Sequence, residues 1–209
     1  MCGIIGYIGD KQAQAILLNG LARLEYRGYD SCGIALDNGG LSVFKDVGRV
    51  NALARQLKPQ AGKTGIGHTR WATHGEPSKK NSHPHVDCAG KIAVVHNGTI
   101  TNFQELRARL EKEGHKLVSE TDTEVLPHLI EKFYKGDFVA AVEKALTLVR
   151  GAFTMIAMMS GEDKLVAARN ESPLIIGLGD RENFIASDVP ALLDYTSRVI
   201  YLEDGDIAV

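Results

Sequence analysis

The chain has 209 residues, of which 44% are hydrophobic and 24% are charged, and its 24 basic and 26 acidic side chains give a formal net charge of −2. This length is sufficient for one domain of ordinary size, and the near-neutral charge argues against binding to nucleic acids or membranes through electrostatics. No apolar run approaches the ~18 residues of a membrane span, and no secretory signal pattern is visible at the start.

Hydrophobic patterning predicts short strands and helices along the chain. A strand is predicted over residues 2–8 and a helix over 11–26, and Asn38-Gly39 between two apolar segments predicts a hairpin, because Asn-Gly tolerates positive φ. Further predicted helices cover 50–57, 103–113, 125–134 and 138–149. Further predicted strands cover 64–70, 92–95, 152–159, 165–168, 174–178, 184–187 and 199–202. Consecutive strands with hairpin connections and layered helices predict an α+β fold with antiparallel sheets.

Two helix starts carry predicted capping pairs, Asn102 with Glu105 and Thr121 with Glu124. Pro127 is awkward in the second of these helices, because a proline in a helix interior removes a hydrogen bond and can kink the helix.

Cys2 directly follows the initiator methionine, and removal of Met1 would give Cys2 a free α-amine. An α-amine has an ordinary pKa of about 7.7–8.0 and a thiol one of about 8.5, so a single residue can supply both base and nucleophile. The alternative is a small residue in an edge strand. Cys32 and Cys88 complete an odd, widely spaced set of cysteines, which disfavours disulfides and predicts a cytoplasmic protein with reduced thiols.

Three further segments carry residues suited to ligand binding or catalysis. Arg70 and Trp71 end a predicted strand, where a guanidinium can bind a carboxylate and an indole can cover a ligand; an ordinary surface arginine beside a core tryptophan is the alternative. Asn97 and Gly98 can aim two N–H donors at one oxygen, as an oxyanion hole requires, or form a hairpin turn. Asp122 at a helix start can bind an ammonium group or only cap the helix.

Five of the seven histidines lie between residues 68 and 96, at positions 68, 74, 83, 85 and 96. Their spacing matches no familiar zinc pattern, and on an extended segment the rings of His83 and His85 would point to opposite sides. We therefore predict no metal site and no cofactor.

Taken together, these segments resemble the class II glutamine amidotransferases, which are N-terminal-nucleophile hydrolases. The segments are CGI at 2–4, LEYRGYDS at 24–31, HTRWATHGE at 68–76, HPH at 83–85, VHNG at 95–98, SETDTEV at 119–125 and ENFIASD at 182–188. The resemblance covers essentially the whole chain. It implies one domain over residues 2–209 with the fold of a four-layer α/β/β/α sandwich of two stacked antiparallel sheets.

The resemblance also implies residue roles in the hydrolysis of L-glutamine. Cys2, freed of Met1, would be the nucleophile and its α-amine the base, while Asn97 and Gly98 would form the oxyanion hole. Arg70 would hold the substrate carboxylate and Asp122 its α-ammonium. The residues expected to line, close or support the site are Trp71, Thr73, His74 and Arg27.

The RWATHG and SETDTEV segments are typical of class members whose ammonia passes to a C-terminal sugar-phosphate isomerase module, where it converts fructose 6-phosphate to glucosamine 6-phosphate. That module is expected to lie outside this chain. Three alternatives remain open at this point. A non-catalytic glutamine-sensing domain would need Arg70 and Asp122 but not Cys2, a metal-dependent hydrolase would use the histidines, and another class II amidotransferase would supply a different acceptor.

Overall fold

Two antiparallel sheets are stacked face to face between two layers of helices in the computed structural model, which describes residues 2–209. The described strands are β1 (Gly3–Gly9), β2 (Ser31–Asp37), β3 (Leu41–Val47), β4 (Thr64–Arg70), β5 (His85–Val86), β6 (Ile92–Ile100), β7 (Gly151–Met159), β8 (Leu165–Asn170), β9 (Ile175–Leu178), β10 (Glu182–Ala186), β11 (Val199–Tyr201) and β12 (Ile207–Ala208). The helices are α1 (Ala13–Arg23), α2 (Val50–Gln56), α3 (Phe103–Lys112), α4 (Val125–Phe133) and α5 (Phe138–Leu146).

The seven-stranded sheet has the order β11-β9-β10-β1-β4-β2-β3, and the five-stranded sheet has the order β12-β8-β7-β6-β5. Every strand pair in both sheets is antiparallel. The first strand of the chain therefore lies in the middle of the larger sheet, between β4 and β10.

Side-chain alternation divides the apolar residues among three buried layers. On β1, Ile4 packs between the two sheets, whereas Ile5 packs under α1 with Leu17. On β6, Val95 packs between the sheets and Val94 packs against the helices α3, α4 and α5. The predicted α+β architecture with four layers is thus confirmed.

The predicted hairpin is also confirmed, because β2 and β3 pair down to Asp37 and Leu41, with Gly39 at a φ of 92° in the turn. β6 is longer than predicted and continues to Ile100. Within it Asn97 pairs with Thr154 of β7, so the interpretation of Asn97-Gly98 as a hairpin turn is wrong. The two-residue strands β5 and β12 were not predicted, because two residues carry no periodic signal.

Both predicted capping pairs are wrong, because the side chains bind more distant backbone groups. The side chain of Asn102 donates to the carbonyl of Leu148 (2.9 Å) and accepts the N–H of Arg150 (3.0 Å). It therefore joins the start of α3 to the segment between α5 and β7. Glu124 accepts two N–H groups from the turn before it. Pro127 is the third residue of α4, where an N–H would have no intrahelical partner, so it does not interrupt the helix.

No helix among residues 2–209 is long and apolar enough to cross a membrane. All three cysteines are free thiols. The cytoplasmic location inferred from their number and spacing stays a prediction.

Gly33 on β2 packs directly against the segment that carries His83. A Cβ at Gly33 would lie 2.3 Å from the carbonyl oxygen of His83 and 2.5 Å from the Cβ of Lys45. Gly33→Ala should therefore lower the free energy of unfolding by about 1–3 kcal/mol, as overpacking of a core typically does. Gly40→Ala is the matched control, because no atom lies within 4 Å of that position. Urea denaturation followed by circular dichroism measures both, and equal stability of the two variants would contradict the prediction.

Candidate active site

The predicted site residues converge where the two sheets meet at one end of the sandwich. Cys2 directly precedes β1, and Arg70 ends β4, whose antiparallel pairing with β1 places Gly3 opposite Thr69. Asn97 lies across the sheet interface on β6. Of the nine predicted residues, eight line one cleft; they are Cys2, Arg70, Trp71, Thr73, His74, Asn97, Gly98 and Asp122. Arg27, the ninth, lines an adjoining cavity of about 250 Å³ that also includes Cys2.

The thiol of Cys2 is half-buried and accepts the N–H of Trp71 at 3.2 Å. Burial raises the pKa of this thiol, while the N–H of Trp71 and the charge of Arg70 act in the opposite direction. The carbonyl of Cys2 accepts Nδ2 of Asn97 at 2.9 Å and Nε of Arg27 at 3.3 Å. The backbone next to the thiol is therefore held by a strand of the five-stranded sheet and by the turn that follows α1.

The Asn97 amide has one orientation that satisfies its neighbours. Its Nδ2 must face the carbonyl of Cys2, so its Oδ1 faces Nε2 of His68 at 3.1 Å. The same Nε2 lies 3.1 Å from the carbonyl oxygen of His96. Because both partners are acceptors, Nε2 of His68 carries the proton, and this imidazole sets the direction of the Asn97 N–H groups.

Any side chain at position 98 would be strained, both by the backbone conformation and by a neighbouring carbonyl. Its φ is 127°, in the region that favours glycine, and a Cβ there would lie 2.1 Å from the carbonyl oxygen of Ala152. The backbone at position 98 consequently departs from the ordinary extended conformation of a strand.

Four buried histidines cluster behind Asn97, and the rings of three of them are in contact. The rings of His68 and His83 stack with centroids 4.0 Å apart, and the ring of His85 meets His83 edge-on at 4.7 Å. The prediction that the rings of His83 and His85 point to opposite sides is wrong, because His83 precedes β5 and lies outside any strand. Burial lowers the pKa of all four imidazoles, of which His96 is the fourth, and that of His68 to about 3.

Among residues 2–209, these histidines are not part of a group of side chains placed to hold a metal ion. The alternative of a metal-dependent hydrolase built on them therefore has no support in the geometry. His96 instead bonds through Nδ1 to Oγ1 of Thr123 at 2.8 Å, which ties β6 to the turn before α4.

Arg70 is 4% exposed and Trp71 is 48% exposed, so the alternative of a surface arginine beside a core tryptophan is wrong. The guanidinium of Arg70 donates to the carbonyls of His74, Gly75 (2.9 Å) and Glu76 (3.5 Å) and so holds the loop after β4. Burial lowers the pKa of this guanidinium, whereas the nearby acidic groups, Cys2 first among them, raise it.

Asp122 is 6% exposed and does not cap α4. Its Oδ2 accepts the N–H of Ile100 at 2.8 Å, which joins the turn before α4 to the end of β6. Its charge also raises the pKa of Arg70. An acidic and a basic side chain thus line the same cleft as the thiol.

Sequence reasoning missed two aspartates that support the site. Asp188 pairs with Arg27 at 2.6 Å, and Asp30 accepts the N–H of Ala72 at 2.9 Å. Both lie in segments that carry the family resemblance, LEYRGYDS and ENFIASD, so the signal was present without a partner being identifiable from spacing.

Comparison with known proteins agrees with this geometry. Residues 68–194 match the family described as glutamine amidotransferase domain. The glutamine–fructose-6-phosphate aminotransferases (isomerizing) of Thermus thermophilus and Aquifex aeolicus are 54% and 53% identical to this chain, over 99% and 100% of its length. The alignments cover only 35% and 36% of those proteins, so the chain spans about a third of their length.

Among solved structures, glutamine phosphoribosylpyrophosphate amidotransferase from B. subtilis, complexed with ADP and GMP, superposes with a TM-score of 0.85 at 27% identity. The match covers 99% of this chain and 46% of that one. The chain belongs to the glutamine amidotransferase domain family. Its predicted fold, the α/β/β/α sandwich of the N-terminal-nucleophile hydrolase type, is confirmed.

Because the clustered histidines are buried and neutral, we expect the stability of the fold to fall in acid. The pKa of His68 is lowered to about 3 and burial lowers those of His83 and His85 well below their usual value, whereas an unfolded histidine titrates near ~6.5. At a pH between the native and the unfolded pKa values, the unfolded chain binds protons that the native chain does not. The free energy of unfolding therefore decreases as the pH falls below about 6.5. The melting temperature should therefore fall between about pH 7 and pH 5.

Differential scanning fluorimetry across this interval, on the wild type and on His68→Gln, tests the assignment. The variant should show a shallower decline, by up to one proton in the slope of stability against pH. An unchanged slope would show that His68 is not among the groups responsible.

Proposed function

We propose that residues 2–209 form a glutaminase domain that hydrolyses L-glutamine to glutamate and ammonia, with Cys2 as the nucleophile. The observation that carries the proposal is the meeting of a thiol, an oriented amide donor, a buried arginine and a buried aspartate in one cleft. Membership in the glutamine amidotransferase domain family supports the choice of substrate.

Removal of Met1 would leave the α-amine of Cys2 beside its own thiol. The amine takes the thiol proton, and the thiolate attacks the side-chain amide carbon of glutamine. The resulting ammonium protonates the leaving nitrogen, and ammonia departs as the γ-glutamyl thioester forms. Water, activated by the amine, then attacks the thioester, which releases glutamate and restores the thiol.

The oxyanion formed in both steps requires fixed N–H donors. An amide nitrogen carries two hydrogens, and one hydrogen of Asn97 Nδ2 is used by the carbonyl of Cys2, so the second is available for the substrate. The positive φ of Gly98 supports a role for its N–H beside that amide. The imidazole of His68 acts as a positioning group, since it holds Oδ1 of Asn97 away from the developing negative charge.

The two ends of the substrate backbone would be bound by opposite charges. Arg70 suits the α-carboxylate and Asp122 the α-ammonium, and both are buried enough for their charges to be weakly screened. The residues of the loop after β4 that would cover the substrate are Trp71, Thr73 and His74. Arg27 supports the backbone of Cys2 by donating its Nε–H to the carbonyl oxygen of that residue.

The relatives named glutamine–fructose-6-phosphate aminotransferase suggest the fate of the ammonia. We propose that this chain serves a cytoplasmic protein in which a sugar-phosphate isomerase module converts fructose 6-phosphate to glucosamine 6-phosphate with that ammonia. Another class II acceptor is the alternative, and the sequence that follows residue 209 in the gene distinguishes the two.

Cys2→Ala should lower glutaminase turnover by more than about 10³-fold, because no other group in the cleft can form the thioester. Glutamine binding, measured by isothermal titration calorimetry, should persist. Cys32→Ala is the matched control for the loss of a thiol and should retain turnover, because Cys32 packs beneath α1 and lines neither cavity of the candidate site. Intact mass establishes whether Met1 has been removed from each sample.

Retained turnover in Cys2→Ala would overturn the nucleophile assignment, and full turnover in a sample that keeps Met1 would overturn the role of the α-amine. A glutamine sensor without activity is distinguished by an electrophilic glutamine analogue, which a sensor would not attach covalently to Cys2.

Asn97→Ala and Arg70→Lys should separate catalysis from binding. Loss of the oxyanion donor should lower kcat by about 10²–10³-fold with little change in KM. Arg70→Lys replaces a planar fork with a point charge, so it should mainly raise KM. Steady-state glutaminase kinetics measure both, and the reverse pattern would contradict the assigned roles.

A further inference from the structure

Four side chains with metal-binding atoms converge outside the cleft, in the helical layer that covers the five-stranded sheet. Cys88 lies in the turn between β5 and β6, His115 follows α3, and His128 and Glu131 lie one turn apart on α4. One ligand atom from each lies within 4.8 Å of every other. None of the four lines the candidate active site.

The distances among these atoms fit tetrahedral coordination. Sγ of Cys88 lies 3.5 Å from Nδ1 of His128 and 3.8 Å from Nδ1 of His115. Oε2 of Glu131 lies 2.8 Å from Nδ1 of His115 and 3.5 Å from Nδ1 of His128. With Zn–S of ~2.3 Å and Zn–N or Zn–O of ~2.0–2.1 Å, a tetrahedral zinc site separates its ligand atoms by about 3.3–3.6 Å. These four distances lie within about 0.5 Å of the tetrahedral values, and the remaining two are below 4.8 Å.

The chemistry of the four groups also selects the ion. One thiolate, two imidazoles and one carboxylate suit the borderline-soft Zn²⁺, whereas Mg²⁺ and Ca²⁺ require oxygen ligands. The thiolate and the carboxylate together neutralise the double positive charge. The backbone N–H of Lys116 donates to Sγ of Cys88 at 3.4 Å, so the position of this sulfur is fixed by the chain after α3.

The four side chains range from buried to exposed, so an ion could reach them from solvent. His128 is 1% exposed and is held in α4, so one imidazole is already in place. Cys88 is exposed, while His115 and Glu131 are partly exposed, so an ion can reach the group without opening the core.

We propose that Cys88, His115, His128 and Glu131 bind one zinc ion in a structural site. Four protein ligands leave no open coordination position, so the ion would stabilise the fold and not take part in chemistry. Binding would release the thiol proton of Cys88 to solvent. The ion would join the turn before β6, the end of α3 and the body of α4, and the inference does not rest on the proposed function.

Cobalt titration of the chelator-treated protein tests the site directly. Wild type should bind one Co²⁺ per chain, with the visible bands of tetrahedral cobalt and a thiolate-to-cobalt charge-transfer band, and Zn²⁺ should displace it. Cys88→Ser should lack the charge-transfer band and should bind Co²⁺ at least about 100-fold more weakly than wild type. This loss exceeds that expected when a residue that only supports a ligand is changed. Cys2→Ala is the matched control, because Cys2 is the other thiol that is not fully buried, and it should keep the band.

Thermal unfolding gives a second, independent reading. Zn²⁺ in excess should raise the melting temperature of wild type and of Cys2→Ala, because binding to the native state alone stabilises it. His115→Gln, at a partly exposed position outside the helices, should lose this rise without loss of fold. Equal metal affinity in wild type and Cys88→Ser, or loss of the charge-transfer band in Cys2→Ala instead, would overturn the proposal.

Discussion

The antiparallel pairing of β1 with β4 is the constraint on which the candidate site depends. The register that places Gly3 opposite Thr69 brings Cys2 beside Arg70 at the end of the sandwich. This register is set by burial, because Ile4 and Ile5 are both fully buried on opposite faces of the sheet. A slip by one residue would exchange the two faces, so the packing of both layers holds the thiol in place.

The second sheet contributes the side-chain amide of Asn97, and a buried imidazole sets the orientation of that amide. Asn97 is oriented by His68, whose Nε2 carries a proton in the buried, neutral ring and donates it toward Oδ1 of Asn97. Burial among three other imidazoles keeps this ring neutral, since a charge there would be poorly solvated and would repel Arg70. The same buried histidine thus contributes to the pH dependence of stability and to the orientation of the Asn97 amide.

Much of the fold could be predicted from the sequence, because its elements have regular hydrophobic periods. The strand Thr64–Arg70 and the hairpin at Gly39 are examples in which local pattern and tertiary structure agree. At Asn97-Gly98 they disagree: the dipeptide favours a turn, but pairing with β7 along nine residues prevails. The cap predicted at Asn102 failed for a related reason, since a side chain can bind distant backbone that no sequence window contains.

The residues of the candidate active site could be predicted from the sequence, whereas those of the proposed zinc site could not. The candidate active-site residues lie in short motifs, and the resemblance of those motifs to a family predicted a role for each residue. Cys88 and Glu131 are 43 positions apart, with His115 and His128 between them at spacings that match no known pattern. Only the packing of α4 beside the β5–β6 turn brings those four atoms together.

The central position of β1 has a consequence for the order of events during synthesis. Ile4 and Ser187 exchange hydrogen bonds across 183 positions, so β1 lacks one of its two neighbours until nearly the whole domain has been made. At about 5–20 residues per second, the intervening chain takes about 10–40 s to emerge from the ribosome. Throughout that time β1 can pair only with β4, which is made much earlier than β10. The topology therefore delays completion of the larger sheet, in which the strand after Cys2 has a central position, until late in synthesis.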